Sequence, residues 1–281
     1  KPEDKLRMPN FYFKPEEIEA ITTAILGFNS NQYSDGMLIE NIVEDKNVFK
    51  GYSLIQRYNC QGCHIIDDFG GQIADVIGSP EFSPPNLNTQ GLKTQPEWLF
   101  SFFNHPITIR PNLQVRMPSF AMMSDDDWNS IISAFQYMEN HNMSFESEFI
   151  VENNSSVYFA GEKLHEFGAC NKCHFYGEIK PTQAPSTWAP NLAMTKVRLR
   201  PEWVVEWLRD PQKIMPGTKM PAPYLPTNDL FDLDDAVDTW GEHLIELNGD
   251  NQMMLEGLRD YIYNIQGKID ISDFVKEYFK T

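Results

Sequence analysis

The sequence predicts an all-α protein built as two tandem copies of one unit, preceded by the tail end of a further copy. Two observations carry that prediction. The pattern Cys-x-x-Cys-His occurs twice, as Cys60-Gln61-Gly62-Cys63-His64 and Cys170-Asn171-Lys172-Cys173-His174, and the residues around both occurrences repeat in step. Before each pattern, and again towards the end of each unit, apolar residues fall at helical spacing.

Composition bounds the function. The 281 residues are 41% hydrophobic and 22% charged, which suffices for two modest cores and excludes disorder as the main state. Lys and Arg number 23 against 40 Asp and Glu, a net charge of −17, so nucleic acid and anionic membrane surfaces are poor partners. Apolar runs such as Ile131 to Phe135 are short, against the roughly 18 to 20 residues a membrane span needs. The chain begins at Lys1 without an initiator Met or a signal-peptide pattern, and reads as a mature or excised piece.

Taken in order, residues 1–28 read as the end of a unit without its beginning. Arg7-Met8-Pro9-Asn10-Phe11 mirrors Arg116-Met117-Pro118-Ser119-Phe120, and Ile18, Ala24, Ile25 and Phe28 continue a final helix. Residues 29–46 form a polar linker with a turn signal at Asp35-Gly36. The first unit spans 47–140. A linker rich in Asn, Ser and Glu covers 141–156, and the second unit spans 157–281. Gly51 and Gly161 each lie nine residues before a first cysteine, with Leu54 and Leu164 three further on. Pro85-Asn86-Leu87 corresponds to Pro190-Asn191-Leu192, and Asn86 to Trp98 has the same 12-residue spacing as Asn191 to Trp203. Pro96-Glu97-Trp98 and Pro201-Glu202-Trp203 read as helix starts. Each unit reaches a Met-Pro pair, Met117-Pro118 and Met220-Pro221, and closes on a helix, about Asp126 to Met138 and Gln252 to Ile265. Two insertions distinguish the copies: Asp67 to Pro84, and Tyr224 to Asp250, whose Asp229, Asp232, Asp234, Asp235 and Asp238 form either a solvated face or a docking patch.

Cys-x-x-C-H is the attachment signature of c-type haem, in which two thiols add to two vinyl groups and the adjacent histidine lies under the iron. Three other readings fit less well. A thioredoxin-like pair needs a βαβ context, whereas Val48 to Tyr58 is helical in period. A zinc site needs further ligands, yet the pairs are 110 residues apart and the chain has four cysteines in all. Plain disulfides do not explain a histidine after each second cysteine.

The order helix, C-x-x-C-H, P-N-L, M-P, final helix resembles the class I cytochrome c family, twice over, across roughly residues 47 to 270. The resemblance implies two tandem class I cytochrome c domains plus an N-terminal partial repeat helix, holding two covalently bound haem c groups. It implies thioether attachment at Cys60, Cys63, Cys170 and Cys173, and axial ligation by His64 with Met117 and by His174 with Met220. Pro85 and Pro190 are implied as carbonyl acceptors for the ring N–H of the two histidines. The family's first and last helices cross at a small residue against an aromatic, which makes Gly51 and Gly161 the close-approach candidates. Trp98 and Trp203 are packing residues or indole donors to a haem carboxylate. Met122 and Met123 remain alternative ligands in the first unit, as does Met215 in the second. His105, His141, His165 and His243 read as surface or supporting histidines.

The implied function is electron transfer, not enzymatic: single electrons pass between redox protein partners, basic ones or subunits of a membrane complex, without a bound substrate, the chain acting free or as a subunit of a respiratory complex or larger multihaem cytochrome. The rival is a dihaem peroxidase-like enzyme with one open haem. The implied compartment is the periplasm or an equivalent. Met8 has three accounts: ligation of a haem from a missing upstream domain, simple packing, or ligation across a homo-oligomer contact.

Overall fold

The computed structural model describes residues 13–18, 20–21, 46–113, 115–120, 122–139 and 149–278. The chain divides into two compact units, Lys1–Asp45 and Lys46–Thr281. In the smaller one, residues 15–18 and 20–21 are helical, and Lys14 N donates to Glu17 Oε2 at 2.8 Å. Met8, Asp35-Gly36 and the rest of the expected partial repeat and linker lie outside the described residues.

The larger unit is mostly helical, as the sequence predicts. Both repeat copies lie within it. Its seven principal helices are α1 (Lys46–Arg57), α2 (Pro96–Asn104), α3 (Asp125–Met138), α4 (Ser156–Gly168), α5 (Pro201–Arg209), α6 (Asn251–Tyr263) and α7 (Ser272–Tyr278). Among the described residues the only sheet is a hairpin of β1 (Ile65–Ile66) and β2 (Phe69–Gly70), pairing Ile65 with Gly70 and Ile66 with Phe69. No helix of the described residues is long and apolar enough to cross a membrane.

Local chemistry starts each terminal helix. Ser124 Oγ accepts from Asp127 N while Asp127 accepts from Ser124 N, a reciprocal cap that satisfies two amides of α3. Ser155 caps α4, and Asp250 accepts from Gln252 N and Met253 N at the start of α6. The prolines at Pro96 and Pro201 occupy first-turn positions where no amide is needed.

In each copy the first and last helices cross in backbone contact. A Cβ on Gly51 would lie 2.1 Å from Ser130 O, and one on Gly161 would lie 1.9 Å from Gly257 O. The atoms nearest each glycine belong to Ser130 and Ala134 at the first crossing and to Gly257 and the Leu258 amide at the second. Around the crossings each copy closes its own core: Leu54, Ile55, Leu99, Trp128 and Phe135 in the first, Leu164, Val204, Leu208, Leu255 and Leu258 in the second.

The copies meet in a reciprocal joint. Gln95 N donates to Arg198 O and Arg200 N to Lys93 O, both at 2.9 Å, around an antiparallel bridge of Thr94 with Leu199. Side chains repeat the exchange: Gln95 Nε2 donates to Leu199 O at 3.0 Å, and Arg200 Nε to Thr94 O at 3.2 Å. Since 93–95 and 198–200 are equivalent positions of the repeat, each contact is matched by its mirror, the signature of a local two-fold axis. Arg110 and Met215, also equivalent, touch across the same joint, with Nη2 3.1 Å from Sδ.

Three segments depart from the linear reading. The 141–156 connection ends in packed structure: Phe149 meets Tyr263 edge-on at 5.8 Å and carries the Arg259 guanidinium at 4.6 Å. The Tyr224 to Asp250 insertion folds into short helices that bury Ala236, Leu244 and Leu247, while Asp229, Asp232, Asp234, Asp235 and Asp238 face solvent. Beyond the expected last helix, α7 packs Ile271 and Val275 on Phe175 and Trp188, bracing the chain that follows His174.

Candidate haem-binding sites

Both cysteine patterns are entered through a residue in the left-handed region, Asn59 (φ 53°) and Ala169 (φ 47°). Each then makes one turn, α-helical over Cys60–Cys63 and 3-10 over Cys170–Lys172. Residues three apart on such a turn share a face, so each pair of thiols is presented together. The turn closes with His64 N donating to Cys60 O and His174 N to Cys170 O, both at 2.9 Å. None of the four cysteines is in a disulfide.

The histidines are fixed by the P-N-L segments. His64 Nδ1 lies 2.8 Å from Pro85 O, and His174 Nδ1 lies 2.7 Å from Pro190 O. A carbonyl can only accept, so each Nδ1 carries the proton and each Nε2 keeps a free lone pair. Backbone bonds hold the two segments in register: Leu87 N donates to Ile65 O at 2.9 Å and Leu192 N to Phe175 O at 2.8 Å. Burial lowers the pKa of both histidines while the proline carbonyls raise it, and the net direction is down, which favours neutral imidazole. Burial pushes the Cys170 thiol up to about 11 and raises that of Cys60.

Next to His174 is a cavity of about 530 Å³. Cys170, Cys173, His174, Trp203, Met215 and Met220 all border it, so the structure brings the second unit's predicted residues, including both candidate methionines, to one space. Met220 Sδ accepts from Trp207 Nε1 at 2.9 Å. Met215 Sδ accepts from Arg110 instead. In the first unit Met117, Cys60 and Trp98 pack against one cluster, Met123 is buried within it, and Met122 is 70% exposed. Trp98 stacks on Phe102 at 5.0 Å and Trp203 on Trp207 at 5.2 Å, again at equivalent positions. Trp203 Nε1 is buried without a hydrogen-bond partner.

Of the other histidines, His165 is buried: its Nε2 shares a hydrogen bond with the Tyr176 hydroxyl, and Tyr261 packs against its ring. His243 lies on the Phe159 ring, and His141 is outside the described residues. Sequence reasoning missed three cations on the cavity wall, Lys93, Arg110 and Arg198. A signal was present for two of them, since Lys93 and Arg198 each stand five residues before the repeated tryptophan. Among the described residues no group of three or more His, Cys, Asp or Glu side chains is placed to hold a bare metal ion. Comparison of the chain with family models, with curated proteins and with solved structures finds no match.

Proposed function

We propose that the chain is a dihaem c-type cytochrome, two class I cytochrome c units in tandem, that carries single electrons between redox protein partners outside the cytoplasm. The observation that carries this reading is the twice-built arrangement of a Cys-x-x-Cys turn followed by a histidine whose Nδ1 is held by the proline carbonyl of P-N-L.

The residues fit haem. Trp203 Nε1 and Arg198 Nε are buried polar atoms without partners at the wall of an otherwise largely apolar cavity, and carboxylates on an apolar ring are the chemistry that satisfies both. When bound, haem supplies a one-electron Fe(III)/Fe(II) couple. Cys60, Cys63, Cys170 and Cys173 would hold it by thioether bonds, each thiol S–H adding across a vinyl C=C so that an S–H and a C–C π bond are exchanged for one S–C and one C–H bond, with no external oxidant or reductant. His64 and His174 would offer Nε2 as the proximal ligands, with Pro85 and Pro190 fixing the tautomer and increasing ligand basicity. Met117 and Met220 would supply the thioether sulfurs, which would raise the potential relative to two histidines. The acidic surface, net −17, favours basic partners or the basic face of a membrane complex.

Oxidised and dithionite-reduced visible spectra, haem quantified per chain, and carbon monoxide added to the reduced sample test the proposal. Two covalent haems per chain and no carbon monoxide shift are expected. Absence of covalent haem overturns the reading. Prompt carbon monoxide binding at one haem overturns the double His/Met assignment and turns the reading towards a peroxidase-like enzyme.

A further inference from the structure

The wall of the cavity beside His174 is not made by its own half alone. Lys93, Arg110, Asn112 and Glu81 reach it from the first half, across the two-fold joint. Lys93 is only 8% exposed, and its Nζ lies 5.0 Å above the Trp203 ring; its equivalent, Arg198, lies 5.3 Å above the Trp98 ring. Each half thus lends a cation to the tryptophan of the other. The cavity's one acidic wall residue, Glu81, is ion-paired with Lys219 at 3.3 Å, and among the described residues no carboxylate lies within ion-pair distance of Lys93, Arg110 or Arg198. Burial drives the Lys93 pKa well below its ordinary value and Arg198 to about 9, with the neighbouring cations adding to both effects. Buried cations that repel one another keep their full charge at neutral pH most readily with an anion among them.

We infer that Lys93, from the first half, is a binding residue for the carboxylates of the second half's haem, and that Lys93, Arg110 and Arg198 form one anion-binding cluster shared by both haem sites at the two-fold joint. This rests on the haem reading above. A cation beside the carboxylates favours the reduced, less positive haem, so its loss lowers that haem's potential.

Redox titration of the holoprotein tests the inference, with haem counted in the same samples. A wild-type chain without covalent haem sinks the functional reading before any potential is read. With both haems loaded, Lys93→Gln is expected to lower one of the two titration steps while Lys93→Arg holds it near the wild-type value. Cys60→Ser/Cys63→Ser, which retains only the second attachment site, identifies the haem: Lys93→Gln must lower its single step. Two unmoved steps in the full protein, or a shift confined to the chain carrying only the first haem (Cys170→Ser/Cys173→Ser), overturns the inference while leaving the function intact. Inorganic phosphate added at constant ionic strength is expected to leave both steps in place. A saturable shift with phosphate means the cluster takes an external anion, and likewise overturns it.

Discussion

In the first half, Asn86 uses its side-chain oxygen only to accept from Asn88 N at 2.8 Å. Its counterpart Asn191, 1% exposed, accepts from Gly177 N at 2.9 Å and Ala193 N at 3.1 Å and donates to Lys268 O at 2.9 Å. The same position of the same motif therefore makes a local turn in one half and ties together three stretches of chain in the other. A second contrast lies behind the cysteine turns. Ile55 and Ile66 pack there as an apolar pair, 2% and 1% exposed, whereas the equivalent residues of the second half are His165 and Tyr176, joined by a hydrogen bond. The histidine–proline pairs nonetheless agree, at 2.8 and 2.7 Å. The difference teaches that the histidine–proline geometry is common to both halves, while the scaffold behind it differs between apolar packing and buried polar networks.

The sharpest way to break that comparison is to truncate the two asparagines. Asn191→Ala strands two buried amides and a carbonyl, for an expected loss on the order of 3 kcal/mol or more, against about 1 kcal/mol for Asn86→Ala. Urea unfolding of the two variants measures both. Equal losses would mean that the second network is redundant and that the halves are held alike.

The His165–Tyr176 pair gives the second half an acid sensitivity that the Ile55–Ile66 pair does not give the first. Burial, and secondarily His174, lowers the His165 pKa from 6.5 to about 4. Between those values the unfolded chain binds a proton that the folded chain does not, so stability is complete above about pH 6.5 and is lost as the pH falls towards about 4. His165→Ile with Tyr176→Ile installs the first half's pair. The double variant is expected to lose less melting temperature than wild type between pH 7 and pH 4, and parallel curves would assign the acid sensitivity elsewhere.

What could be read from the sequence follows a physical line. The histidine–proline contacts and the crossing glycines Gly51 and Gly161 are legible because each task admits few residue types. Helices α1, α3, α4 and α6 are legible because their apolar periods run for three turns or more. The joint at 93–95 and 198–200 is not, since its bonds are largely backbone amides and carbonyls that any sequence supplies. The short helices of the second insertion, such as Asn228–Phe231 and Glu242–Glu246, span too few residues for a period to emerge. Ser130 and Gly257 show a different limit: the glycine on one helix announces a close approach, but nothing in it says whether the facing residue is small or aromatic.

The smallest expected effect concerns the entry to each cysteine turn. Asn59 and Ala169 both adopt left-handed backbone, at φ 53° and 47°. Asparagine tolerates that region, while alanine is strained there by roughly 1–2 kcal/mol through its Cβ. Ala169→Gly removes the strain but gives the unfolded chain more freedom, about 0.4–1 kcal/mol in the opposite direction. The net expectation is a gain of about 0.5 kcal/mol, seen as a small rise in melting temperature, with Asn59→Gly neutral or slightly destabilising. A loss on Ala169→Gly would mean that the Ala169 methyl contributes packing at the turn that outweighs its backbone strain, and that the two turns are stabilised by different means despite their shared geometry.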